Sequence, residues 1–288
     1  MTDLLIEALV AGILLGGVYG LIALGLNIIY GVLDIINFAH GAMMMTGMYL
    51  TFWLFQTFGI DPYLSILITG PALFIFGAVV YRFLLDPMRG KALQNQFLVT
   101  LGLSLLLTNA AQVIFSPDFR TIQTTYGQDV FQIGPAFIPL TRIFTFAAAV
   151  AATGFLLLIF QQTRLGRSIR AVAQQQDGAA LCGINVRHVY TLAFALGSAC
   201  VGIAGAAVTP FFYISPTVGD VFNVASFVVV VLGGLGSMTG SLLGGLILGV
   251  TVSIGAAFLP GSFKEVLMFG IFLGVLLFRP TGLLGSKI

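Results

Sequence analysis

Residues 31–41, GVLDIINFAHG, set an aspartate, an asparagine and a histidine inside otherwise apolar sequence. An ionised carboxylate at the centre of a spanning helix costs about 3 kcal/mol on insertion scales, so such groups stay only where they have a task. Asp34 precedes a helix-like run and fits an N-cap, its carboxylate accepting a free backbone N–H. Asn37 and His40, three residues apart, would share a helix face. There they either bond to a neighbouring helix and hold the segment in place, or touch a substrate and line its route. Burial in apolar surroundings favours a neutral His40.

Further polar residues fall in comparable places. Asn27 precedes this stretch and is placed to bond across it. Thr100, Ser104 and Thr108 recur at spacing four in an apolar run. Their hydroxyls either bond back to the i−4 carbonyls or wet one wall of a pathway. Ser237, Thr239 and Ser241 lie in GLGSMTGS (234–241), where they would satisfy backbone groups freed by a break. The candidate pathway set is therefore Asn27, Asn37, His40, Thr100, Ser104, Ser237 and Thr239. Met43, Met44 and Met45 read as adaptable packing.

Catalytic chemistry finds no support. There is no nucleophile–base pair or metal cluster, and His40 and His188 lie too far apart in sequence to argue a zinc site. Cys182 and Cys200 show neither metal-ligand nor disulfide spacing and read as small hydrophobes. No G-x-x-x-x-G-K-[S/T] phosphate loop occurs, and MRGKA (88–92) lacks both the earlier glycine and the following hydroxyl. No cofactor is expected in this chain, and ATP, if used, is hydrolysed by another.

The elements that position these residues follow from composition. The 288 residues are 58% hydrophobic and 8% charged, against about 25% charged in a soluble domain. The surrounding solvent must be lipid. The 36 glycines favour closely packed helices, and strands alternating apolar and polar residues, as in an outer-membrane barrel, are missing. Apolar runs near 5–30, 35–58, 63–85, 96–115, 143–160, 189–212, 223–259 and 265–279 predict an all-α polytopic membrane protein. About eight transmembrane helices with broken or re-entrant segments form a single transmembrane domain over 1–288. An acidic N-terminus without early Lys or Arg argues that the first span is retained.

Arg82, Arg89, Lys91, Arg164, Arg167, Arg170, Arg187, Arg279 and Lys287 fall in one set of loops, and only Arg120, Arg142 and Lys264 in the other. The positive-inside rule makes the first set cytoplasmic, with the N-terminus outside and the C-terminus inside. The run 223–259 then begins and ends outside, and must turn back at 234–241. Its first limb, 223–235, is only about 20 Å of helix. Each half of the chain thus holds one broken hairpin, the best sequence pointer to a transport pathway, although the two breaks share little sequence. Residues 116–140 form the sizeable outside loop, with a short hairpin expected around Tyr126-Gly127.

The cytoplasmic loop 163–188, TRLGRSIRAVAQQQDGAALCGINVRH, carries Arg164, Arg167 and Arg170 at spacing three, on one face of a helix, where they either anchor at the lipid headgroups or meet a partner. Asp177, Ala179 and Gly183 reproduce the spacing of the Glu-Ala-Ala-x-x-x-Gly loop of bacterial ATP-driven importer permeases. With GLIALGLNIIYGVLDIINFAHGAMMMTGMYL (20–50), VVVVLGGLGSMTGSLLGGLILG (228–249) and RPTGLLG (279–285), the chain resembles the branched-chain amino acid permease family of ABC importers, and within it the first of two paired permease subunits. The resemblance implies a heterodimer with a second permease subunit, two ATPase subunits that use the ATP, a periplasmic substrate-binding protein, and residence in a bacterial inner membrane; it offers no role for nucleic acid. It also implies that Arg167, Arg170, Asp177, Ala179 and Gly183 meet an ATPase. Other readings are a permease for urea, short amides or small carboxylates, and an ion-coupled secondary transporter, which would need Asp34 or His40 as a coupling site.

Overall fold

The computed structural model describes residues 2–133, 136–259, 263–279 and 281–285. In chain order the elements are α1 (Thr2–Leu33), α2 (His40–Phe58), α3 (Pro62–Val80), α4 (Leu93–Phe115), β1 (Val130–Ile133), β2 (Ala136–Pro139), α5 (Leu140–Gln162) and α6 (Arg164–Gln174). They continue with α7 (Gln176–Leu181), α8 (Val186–Val208), α9 (Val218–Gly233), α10 (Met238–Phe258) and α11 (Phe263–Phe278). Among the described residues, six helices are long and apolar enough to cross a membrane: α1, α3 with its continuation to Met88, α4, α5, α8 and α10. α2 has 19 residues, and α9 and α11 have 16 each. A 16-residue helix is about 24 Å long, short of a ~30 Å hydrocarbon core. The expected eight spans are therefore approximate: six long helices and three shorter ones.

α1 and α8 are the interior posts. Both are apolar on all sides; α8 is buried over most of its length and α1 continuously from Val18 to Ile29, as an interior helix requires. α4 and α5 lie at the periphery and turn large apolar side chains such as Val113 and Phe155 outward, a face suited to lipid. Lipid removes the hydrophobic drive between helices, so association depends on close backbone approach. Gly12 and Gly16 of α1 provide it. A Cβ on Gly12 would lie 2.6 Å from the Cα of Val250, and one on Gly16 would lie 2.7 Å from the Cα of Leu246. Position 12 opposes 250, 16 opposes 246 and 31 opposes 236, so α1 and α10 run antiparallel along a glycine seam.

The loops sort onto two faces. On one, Arg120 and Ile214 exchange backbone hydrogen bonds at 2.9 and 2.8 Å, and the Tyr126 hydroxyl donates to Asp61, which caps α3 by accepting the Tyr63 N–H at 2.8 Å. Burial and this bond to Asp61 push the Tyr126 phenol above its ordinary pKa. Tyr126-Gly127 forms a turn, with Gly127 N–H donating to the Thr124 carbonyl. The hairpin follows it, with β1 and β2 antiparallel and Phe131 opposite Ile138. The expected hairpin thus exists but starts at Val130, because Gly127 is spent on the turn before it. On the other face Asp86, buried at the end of α3, receives Arg187 from α8 and Arg82 from one turn earlier. Lys287 lies outside the described residues.

Candidate functional site

The first break occupies residues 34–39, between α1 and α2. Asp34 takes the left-handed conformation, φ 54°, and its N–H donates to the Tyr30 carbonyl at 2.9 Å. It ends α1. The expected N-cap role at α2 does not occur: Ala39 holds that position without a side-chain bond, and Asp is one of the few residues that enters the left-handed region readily. Asn37 lies within the break, so it does not share a helix face with His40. Its Oδ1 accepts the Ala39 N–H at 3.1 Å, and its Nδ2 lies 3.8 Å from the Met43 sulfur. His40 Nε2 lies 2.9 Å from the Ile22 carbonyl, which makes that nitrogen the donor, and Nδ1 is buried without a partner among the described residues. Thr100 of α4 donates to the Phe97 carbonyl at 3.0 Å and reaches the Ile36 carbonyl in the break at 3.4 Å.

The second break is Gly234–Ser237, between α9 and α10. Gly234 and Gly236 have φ 107° and 80°, conformations that a side chain would strain. Asn27 spans this break from α1. Its Oδ1 accepts the Gly236 N–H at 2.9 Å, and its Nδ2 faces the Gly234 carbonyl (3.3 Å), the Ser237 carbonyl (3.1 Å) and Ser241 Oγ (2.5 Å). Ser237 caps α10 by accepting the Gly240 N–H at 3.1 Å. Thr239 is exposed, and Ser104 is half-buried on the α4 face that carries Thr100.

Asn223 of α9 makes the reciprocal connection. Its Nδ2 donates to the Phe38 carbonyl at 3.1 Å, and its Oδ1 accepts the Gly41 N–H at 3.3 Å. Each broken hairpin therefore lends one asparagine to the break of the other. The sequence reading missed Asn223, although a lone asparagine in VFNVASFVVVV was visible as a signal. It also gave no structural task to the terminal RPTGLLG. There, the Leu283 and Leu284 N–H groups donate to the Leu232 and Gly233 carbonyls at 2.8 and 3.0 Å, filling acceptors that the end of α9 leaves open.

The loop between α5 and α8 is ordered. Thr163 caps α6 by accepting the Gly166 N–H at 3.1 Å, and Arg170 donates to the Phe160 carbonyl at the end of α5. Arg167 and Asp177 are exposed and Ala179 is buried. Gly183, φ 81°, terminates α7: its N–H donates to the Ala180 carbonyl at 3.0 Å, and the Ile184 N–H donates to Ala179 at 3.1 Å. This is a Schellman end, which glycine adopts without penalty. Leu181, at the tip of α7, is 90% exposed. Among the described residues no group of three or more His, Cys, Asp or Glu could hold a metal ion.

Residues 8–276 match the family model described as branched-chain amino acid transport system / permease component. The chain is 33% identical to the high-affinity branched-chain amino acid transport system permease protein BraD of Pseudomonas aeruginosa, over 97% of this chain and 95% of that protein. It is 33% identical to LivH of Escherichia coli K12, named in the same words, over 95% of this chain and 93% of that one. Identity to the permease protein LivM of the same organism is 26%, over 93% of this chain and 68% of LivM. No solved structure matches. Two apolar hairpins broken at midcourse and braced by each other's asparagines, on a chain matched almost end to end, make this protein a member of the branched-chain amino acid transport system permease family.

Proposed function

We propose that this chain is the first of two paired permease subunits in an ATP-driven importer that moves branched-chain amino acids into the cytoplasm. A second permease subunit, two ATPase subunits and a periplasmic binding protein complete the assembly. The observation that carries the ATP-driven part is the α6–α7 element. It is short, ordered, tied to the bundle through Arg170 and through the Tyr190 hydroxyl donating to Gln176 at 2.9 Å, and it projects a bare leucine, Leu181, on the face richest in arginine. A free-standing carrier has no use for such an element. Arg167, Asp177 and Leu181 form the contact surface on this reading, while Arg170, Ala179 and Gly183 shape it. Charge asymmetry puts this face in the cytoplasm, and hence the N-terminus outside and the C-terminus inside.

The paired breaks form the inner barrier of the pathway. Asn27, Asn37, His40 and Thr100 are committed to holding it. Ser104, Ser237 and Thr239 retain enough exposure to meet passing cargo. An ion-coupled mechanism fits less well, because Asp34 sits exposed at a rim and the buried Asp86 is already paired with Arg187. Purification of a tagged chain from its native membrane is the direct test. Recovery of a second permease and two ATPases is expected, and recovery of a lone homo-oligomer would refute the assignment.

A further inference from the structure

A cavity of about 520 Å³ lies between α1, α5, α9, α10, α11 and the segment after α8, within the range of about 300–1,000 Å³ usual for small-molecule sites. Most of its wall is apolar, with Phe211, Phe212 and Met268 prominent. Phe212 is fixed by stacking on Tyr213 and by the Phe222 ring 5.2 Å away.

Five polar side chains line this cavity: Tyr19 of α1, Arg142 and Thr145 of α5, Tyr213 after α8 and Ser253 of α10. Tyr19, Arg142, Tyr213 and Ser253 make no side-chain hydrogen bond or ion pair among the described residues. Of these four, Tyr19 is buried, Ser253 half-buried, and Arg142 and Tyr213 exposed. Thr145 in the same wall differs, because its hydroxyl is satisfied by the Ala207 carbonyl at 2.6 Å. A buried polar side chain is ordinarily partnered, which singles out Tyr19 among the four. An exposed cation and three hydroxyls without protein partners, around an apolar wall, describe the complement of a zwitterion with a hydrocarbon tail.

We propose that this cavity is the entry site for the cargo, and that it takes an α-amino acid with a branched aliphatic side chain. The guanidinium of Arg142 receives the carboxylate, a pairing suited to its fork of donors. The hydroxyl oxygens of Tyr19 and Ser253 accept hydrogen bonds from the ammonium group. The side chain lies against Phe211, Phe212 and Met268. Next to Tyr19 the glycine seam of α1 and α10 closes, so cargo held here advances only when those helices part. The inference rests on the import reading given above and adds a cargo site to it.

The experiment uses the whole complex in nanodiscs, with Cys182→Ser removing the exposed native thiol and Ala256→Cys placing a reporter in the cavity wall. The maleimide reaction rate is measured with leucine, with isopentylamine, which lacks the carboxylate, and with 4-methylpentanoate, which lacks the ammonium. Leucine should protect, and each analogue should need roughly tenfold or more higher concentration, the loss expected for one charge-assisted hydrogen bond. Arg142→Gln should remove the preference for leucine over isopentylamine, and Arg142→Lys should restore part of it. Phe212→Trp narrows the wall and should shift uptake toward valine over leucine by roughly tenfold, the scale of one methylene in a tight pocket. Equal protection by all three ligands, or by none in a complex that imports leucine, would overturn the proposal. So would protection that follows anionic phospholipid content and ignores leucine. If the complex imports no branched-chain amino acid, the import reading fails separately; the same assay with the other amino acids then decides whether the cavity takes a zwitterion.

Discussion

Asn27 and Asn223 hold each other's hairpins: Asn27 from α1 closes the break between α9 and α10, and Asn223 from α9 closes the break between α1 and α2. Neither break can rearrange without releasing an amide in the other hairpin. Leucine at either position leaves backbone groups of the break without their side-chain partners, at about 1–3 kcal/mol for each one shielded from water. Both Asn27→Leu and Asn223→Leu should lower the midpoint of thermal unfolding and abolish uptake, while the affinity of the isolated binding protein for cargo is unchanged. Uptake by reconstituted variants at equal protein amounts checks this, and wild-type rates in both would show the brace to be dispensable.

Asn37 acts more locally. Asn37→Leu leaves the Ala39 N–H without its acceptor, so the start of α2 should loosen by about 1–3 kcal/mol. Hydrogen exchange at residues 38–42 should rise in the variant, with uptake falling alongside it.

The glycine seam between α1 and α10 leaves no room for a methyl group. Gly16→Val places atoms against the backbone of Gly245 and Leu246 and should eliminate folded protein. Gly102→Ala and Gly154→Ala have open space at their Cβ positions and should be neutral or stabilise their helices by up to about 1 kcal/mol. Gel-filtration profiles of the isolated subunit in detergent separate the two classes.

At Gly183 the constraint is conformational rather than steric. A Cβ there meets nothing within 4 Å, but φ is 81°. Forcing a β-branched residue into this region costs roughly 1–2 kcal/mol. Gly183→Val should keep the protein inserted yet reduce uptake and ATPase co-purification. Gly183→Asn should retain most of both, since Asn tolerates the left-handed region. Equal loss in the two variants would indicate that the surface, not the turn, matters.

The two faces can be assigned with thiol labelling. Gln123 and Gln128 are exposed on the face joined by the Arg120–Ile214 bridge, and the native Cys182 is exposed on the opposite one. In intact spheroplasts an impermeant maleimide should react with Gln123→Cys and Gln128→Cys in a Cys182→Ser background, and should reach Cys182 in the unaltered chain only after permeabilisation. The reverse pattern would invert the orientation of every loop together.

The sequence by itself determined the solvent, the apolar elements and the presence of two interrupted hairpins, because these depend on composition and on apolar length within one segment. It flagged Asn27, Asn37, His40 and Thr100 as polar groups needing partners, and it found the turn at Gly183, whose geometry is local. It could not name the partners. The bond from Asn27 to Gly236 joins residues more than two hundred positions apart, and only the antiparallel packing of α1 on α10 brings them together. Only the structure shows that Asp34, in the left-handed conformation, ends one helix instead of starting the next. The packing of α9 against α2 made Asn223 a structural brace, and the bundle as a whole set Arg142, Tyr19 and Ser253 around one cavity from three different helices. A polar residue in a membrane span announces a need for hydrogen bonding through its cost in lipid; which group meets that need depends on which helices pack side by side, and that is settled in three dimensions.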